Sequence, residues 1–195
     1  MRRYLFIFLL LPLGALAQIQ IAVKGGFNFA NVTNKADINA SSKTGYMFGG
    51  YIAPKPKGFF GFRSEIILSR QGYDYKSNTI TGHVNLDYLL LPQLFTLNFT
   101  KKAQLHFGPQ IGFLLNAAVD STGDNSGSLT QYFKRFTYGL AAGGELSPLF
   151  GLFVGARINV SLNNMNNDSN NGSPNFIPKV NVKNNVVQVY VGWRL

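Results

Sequence analysis

From residue 19 onward the chain alternates between apolar and polar positions with a period of two. That is the signature of strands with one greasy and one polar face. The final segment is the cleanest. Val187, Val189, Val191, Trp193 and Leu195 share one face, and Gln188, Tyr190, Gly192 and Arg194 share the other. A second segment sets Leu152, Val154, Ala156, Ile158, Val160 and Leu162 against Phe153, Gly155, Arg157, Asn159 and Ser161. A third sets Phe60, Phe62, Ile66 and Leu68 against Gly61, Arg63, Glu65 and Ser69. A fourth sets Leu105, Phe107, Ile111, Phe113 and Leu115 against Gln104, His106, Gly108, Gln110 and Gly112. Eight such strands are predicted, at residues 19–31, 44–53, 59–73, 83–97, 104–116, 133–146, 151–162 and 186–195.

The connections alternate in length. Long polar segments fall at 32–43, 74–82, 117–132 and 163–185, and short ones at 54–58, 98–103 and 147–150. Long loops on one side and tight turns on the other fit an all-β, eight-stranded antiparallel up-and-down transmembrane β-barrel. Both ends of the strand array then lie on the short-turn side, the periplasm. Pro92 and Pro109 fall inside predicted strands and cannot donate ladder hydrogen bonds, so bulges or shifted boundaries are expected there. They leave a ten-stranded count as the alternative.

The first residues read differently. Arg2 and Arg3 precede an apolar run from Tyr4 to Leu13, and Ala15-Leu16-Ala17 forms a small-x-small site. Residues 1–17 are therefore expected to be a signal peptide, followed by a barrel domain at 18–195. The Arg pair raises twin-arginine export. The strongly apolar run and the lack of a cofactor motif favour a Sec-type route. The expected destination is the outer membrane of a Gram-negative bacterium.

Composition supports a chain covered partly by lipid. Charged residues make up 13% and apolar residues 46%, against about 25% charged in soluble domains. No later apolar run reaches the ~20 residues of a spanning helix. Only a closed sheet can then satisfy the backbone in hydrocarbon. There are no cysteines, which excludes disulfides, thiolate chemistry and Cys-linked lipid. The net charge of +10 falls to +8 without Arg2 and Arg3. The basic residues are dispersed, with no nucleic-acid recognition motif. Lys55, Lys57, Lys101 and Lys102 occupy short turns, where basic groups gain about 1 kcal/mol each near lipid phosphates. Residues 163–185 are Asn-rich and have little to bury.

Each basic residue that faces lipid costs about 2–4 kcal/mol at mid-depth. Lys24, Arg63, Glu65, Asp87, Glu145, Arg157 and Arg194 are therefore expected to turn inward as a lumen charge cluster. An eight-stranded interior is just wide enough for side chains to fill. No catalytic, cofactor or metal site is expected. His83 and Asp87 sit four apart on one strand, roughly 13 Å, too far for a hydrogen bond. His83 and His106 belong to opposite ends of the barrel, and Ser64 and Ser69 are expected to be structural, since a Ser/His/Asp site would need a convergence that spacing cannot show.

Several segments resemble the PorT-like outer-membrane β-barrel (porin) family. Val23-Lys24-Gly25-Gly26-Phe27-Asn28 is similar to its opening strand. Tyr88-Leu89-Leu90-Leu91-Pro92 and Phe107-Gly108-Pro109-Gln110-Ile111-Gly112 resemble its Tyr-Leu-x-x-Pro and Gly-Pro-x-x-Gly strands. Phe136-Thr137-Tyr138-Gly139 followed by Gly143-Gly144 resembles another, with Thr137 where Asp is usual. Val191-Gly192-Trp193-Arg194-Leu195 resembles the last strand, ending in Leu rather than Phe. The resemblance implies insertion by the barrel-assembly machinery and contact with outer-membrane lipid. The functional expectation is a structural or interaction barrel with extracellular loops and a filled lumen. A narrow porin and an accessory component of protein secretion are the alternatives. A lipocalin-like carrier would need an apolar interior, which the charged strand positions contradict.

Overall fold

The computed structural model describes residues 19–32, 39–77, 80–121, 127–128, 130–164 and 183–195. The expected signal peptide and most of the Asn-rich segment lie outside them. Eight long strands form the wall: β1 (Ile19–Val32), β2 (Asn39–Pro54), β3 (Phe60–Ser77), β4 (Ile80–Asn98), β5 (Ala103–Ser121), β7 (Phe136–Leu146), β8 (Leu152–Ser161) and β9 (Asn184–Arg194). A two-residue strand, β6 (Gly127–Ser128), pairs with the end of β5. Each wall strand pairs antiparallel with its sequence neighbour in the wall, and β1 closes onto β9. The seam runs from Ala22↔Arg194 to Val32↔Asn184. The Leu195 amide adds a bond to the Ile21 carbonyl at 2.9 Å. Closure leaves the wall without an edge, as a sheet in lipid requires.

The two faces follow the alternation. Val187, Val189, Val191, Ile158, Val160, Phe62, Ile66, Leu68, Phe107 and Phe113 all point outward. Aromatic rings gather at both ends of this belt. Phe59, Phe60 and Phe99 meet edge to face near the short turns, with centroids 4.9 and 5.3 Å apart. Phe113, Phe136 and Tyr138 stack toward the opposite end. Such girdles mark the two interfaces of an outer-membrane barrel, whose apolar band is about 25 Å tall.

The sequence reading and the structure differ here in two places. First, β3, β4 and β5 have 18, 19 and 19 residues, where about 9–11 suffice to span a bilayer. The segment 74–82, expected to be a long loop, is therefore mostly paired strand, up to Ser77↔Ile80. Strands beyond the lipid need no apolar face, so their polar sequence hid them. Second, neither proline introduces a bulge. Pro92 pairs with Gln110 and Pro109 with Leu140 in continuous register. The register shifts instead at Asp87/Tyr88 and between Ser42 and Met47. The wall has eight long strands, as expected, which removes the ten-stranded alternative.

Glycine is required at the β7–β8 turn. Gly151 has φ +80°, and an added Cβ would lie 2.8 Å from the Trp193 ring.

Unboiled protein should migrate apart from boiled protein on a denaturing gel; one unshifted band would contradict a closed barrel. Val189→Arg places a charge in the apolar belt and should lower stability by ~2–4 kcal/mol, read by urea unfolding in detergent.

Candidate functional site: a buried ionic network in the lumen

The inward positions of β1, β3, β7, β8 and β9 bring Lys24, Arg63, Glu65, Glu145, Arg157 and Arg194 together. Glu65 is the hub. Its Oε2 lies 2.9 Å from Lys24 Nζ and 2.6 Å from Arg157 Nη1, and its Oε1 lies 2.8 Å from Arg63 Nε. Glu145 is the second hub. It contacts Arg63 Nη2 at 2.8 Å and Arg194 Nη2 at 3.4 Å, and accepts from the Tyr190 hydroxyl at 3.0 Å. Arg63 and Glu65 are each 1% exposed. Four cations thus share two carboxylates, leaving a local charge of +2.

Aromatic faces carry part of that excess. Lys24 Nζ lies 4.3 Å from the Tyr190 ring centroid, and the Arg63 guanidinium 4.8 Å from that of Tyr51. Cations over rings gain most when desolvated. Inward glycines make the room. A Cβ at Gly155 would lie 2.7 Å from Tyr190, and one at Gly143 would lie 2.8 Å from His106 Nε2.

Hydrogen bonds extend the network in both directions. Toward the long-loop end, Arg157 donates to Gln188 Oε1 at 2.7 Å, and Gln188 donates to Asn28 Oδ1 at 2.8 Å. Asn28 and Gln71 both donate to Ser69 Oγ at 2.9 Å, and Asn184 donates to Gln71 Oε1 at 2.6 Å. Toward the short-turn end, Arg194 donates to the Tyr51 hydroxyl at 2.8 Å and to Ser147 Oγ. Beyond the amides, Tyr73, Val84, Leu86, Val119 and Phe133 form an apolar plug near the long-loop end. A cavity of about 20 Å³ remains among Gln71, Tyr88, Gln110, Asn159 and Asn184. One or two waters would fill it.

Asp87 is not part of this cluster. It faces outward and binds Arg70 in a two-pronged pair, with Nε–Oδ1 at 2.7 Å and Nη2–Oδ2 at 2.9 Å. The side chains are 39% and 24% exposed. The inward face of β4 (Val84, Leu86, Leu90, Leu94) is itself apolar, because part of it backs the plug. Both faces of β4 are therefore greasy, and its parity could not be read. Arg70 was overlooked, although it shares parity with Phe60, Phe62, Ile66 and Leu68, which marks it as outward.

His83 pairs with Asp74, Nδ1–Oδ1 2.7 Å, on the extended hairpin. His106 is buried, 3.5 Å from the Tyr190 hydroxyl. Ser64 faces outward and bonds Gln93. Among the described residues, no three His, Cys, Asp or Glu side chains gather as metal ligands would.

The sealed wall, the girdles and the inward charges together have a counterpart among known families. The profile described as outer membrane protein beta-barrel domain matches residues 15–167. The chain belongs to this family. Solved structures carry the same fold. Ail, the attachment invasion locus protein of Yersinia pestis, superposes with a TM-score of 0.51 at 16% identity, covering 90% of this chain and 98% of that one. Ail has also been solved with the heparin analogue sucrose octasulfate, and that structure matches with a TM-score of 0.50. Neisserial surface protein A matches with 0.52 at 12% identity, covering 90% and 96%. No curated protein sequence matches. Family and fold imply the Gram-negative outer membrane for this barrel.

Removing a hub leaves several buried cations facing one another. Glu65→Gln should therefore cost ~3–5 kcal/mol. Arg157→Gln should cost less, because cations outnumber carboxylates and Gln188 remains a partner. Asp87→Asn should cost at most ~1 kcal/mol, since its pair is half exposed. Urea denaturation of the three refolded variants checks the order.

Proposed function

We propose that the protein is a sealed outer-membrane barrel with a structural or interaction role. In this reading the lumen is a packed core and not a conduit. The contacts are made by the extension of β2–β5 beyond the membrane and by the loops it carries. The observation that carries the proposal is the Glu65–Glu145 network, which fills the lumen between the apolar plug and the short-turn end. Strands of 18 and 19 residues give further support, because their outer parts serve no membrane-spanning purpose. The protein is not an enzyme in this proposal. Its leader directs Sec-type export, the barrel-assembly machinery inserts it, and lipid surrounds its belt.

Within the family, the Lys24-Gly25-Gly26, Tyr88–Pro92 and Gly108–Gly112 motifs favour a place in the PorT-like branch. The same motifs support a second reading, an accessory component of protein secretion.

Planar-bilayer recording tests the proposal. The wild-type protein should give no steady single-channel steps. Regular unitary currents would overturn it in favour of a narrow porin.

A further inference from the structure

The short-turn end of the barrel holds a second feature, which does not depend on what the extracellular end contacts. A cavity of about 430 Å³ opens there, lined by Gln20, Asn98, Gln104, Lys101, Lys102 and Arg194 together with Pro56 and Gly58, and among the described residues no carboxylate lines it. The charge at this mouth has two sources. Arg194 belongs to the interior network, and at 18% side-chain exposure it is the cation of that network that reaches the mouth. Its contact with Glu145 is the longest of the cluster, 3.4 Å. The local excess of +2 is therefore felt at the opening. Lys101 and Lys102 add the second source, from the rim.

The rim is built, not loose. Thr100 Oγ1 accepts from the Lys102 amide at 3.1 Å and the Ala103 amide at 3.0 Å. The Phe99 amide donates to the Ala103 carbonyl at 3.1 Å. These bonds fix the backbone that carries both lysines. The floor is built too. Gln104 bonds Asn98, and Asn98 bonds the Gly58 carbonyl. The extracellular end contrasts with this arrangement. There Arg70 is paired with Asp87, and Lys43 and His83 contact Asp74.

We propose that the periplasmic mouth binds a phosphate-class oxyanion between Lys101, Lys102 and Arg194. Three cationic donors around an amide-lined hollow suit the several oxygens of a tetrahedral phosphate group better than a planar carboxylate. The phosphate comes from a soluble periplasmic anion or from the headgroup of an inner-leaflet phospholipid. Both present non-bridging phosphate oxygens, two on the singly charged diester and more on the free anion.

The full chain, refolded in maltoside micelles that contain no phosphate, allows the test. Amide resonances of Thr100–Ala103 are followed while inorganic phosphate is added at constant ionic strength, and separately while short-chain phosphatidylglycerol is mixed into the micelles. Saturable shifts with phosphate identify the soluble source, and saturable shifts with the lipid alone identify the headgroup. Either should weaken about tenfold in K101Q/K102Q, a loss of ~1.4 kcal/mol, and stay near wild type in K55Q/K57Q. The variants are compared only where the unboiled band keeps its folded position. The proposal is overturned by the absence of saturable shifts with both, by equal shifts with chloride or acetate, or by shifts that survive K101Q/K102Q unchanged.

Discussion

Ions cannot face hydrocarbon and cannot stand alone in a dry interior, and this barrel meets both constraints at one carboxylate. Glu65 accepts hydrogen bonds from Lys24 and Arg157 and forms an ion pair with Arg63, and the strands of these cations lie on different parts of the wall. Buried pairs of this kind add little net stability when compared with well-packed apolar side chains. Their effect is on specificity. A strand that slipped by one residue would turn its ions toward lipid. The network adds to the register that the alternating apolar belt already specifies.

Where one face met lipid and the other met ions, the architecture was readable from residue order. In β3, β5, β8 and β9 the two sets of side chains differ sharply in polarity, so parity gave inside and outside directly. Legibility failed where that contrast disappears. In β4 the inward Val84, Leu86, Leu90 and Leu94 are as apolar as the outward Leu89, Phe95 and Leu97, so Asp87 was sent to the wrong side. Past the membrane the contrast vanishes in the other direction. The paired residues Asp74–Ser77 and Ile80–Gly82 look like loop because a strand beyond the lipid needs no apolar face.

The supporting cast of the charge cluster was also hidden. Tyr190, Gln188, Asn28 and Tyr51 lie far apart in sequence, and nothing in their spacing announces a shared centre. Lone amides and tyrosines on an inward face read as filler. Only three-dimensional closure shows that they solvate six ions in place of water.

The six ions are contributed by β1, β3, β7, β8 and β9, and the two carboxylates sit on opposite sides of the β1–β9 seam. Each half carries an excess of one positive charge, and the Arg157–Glu65 and Arg63–Glu145 contacts join one half to the other. Those two contacts cross the lumen and need a closed, curved wall, so an open sheet would leave the ions on its concave side to water. Closing such a cylinder is a drying step as much as a folding one.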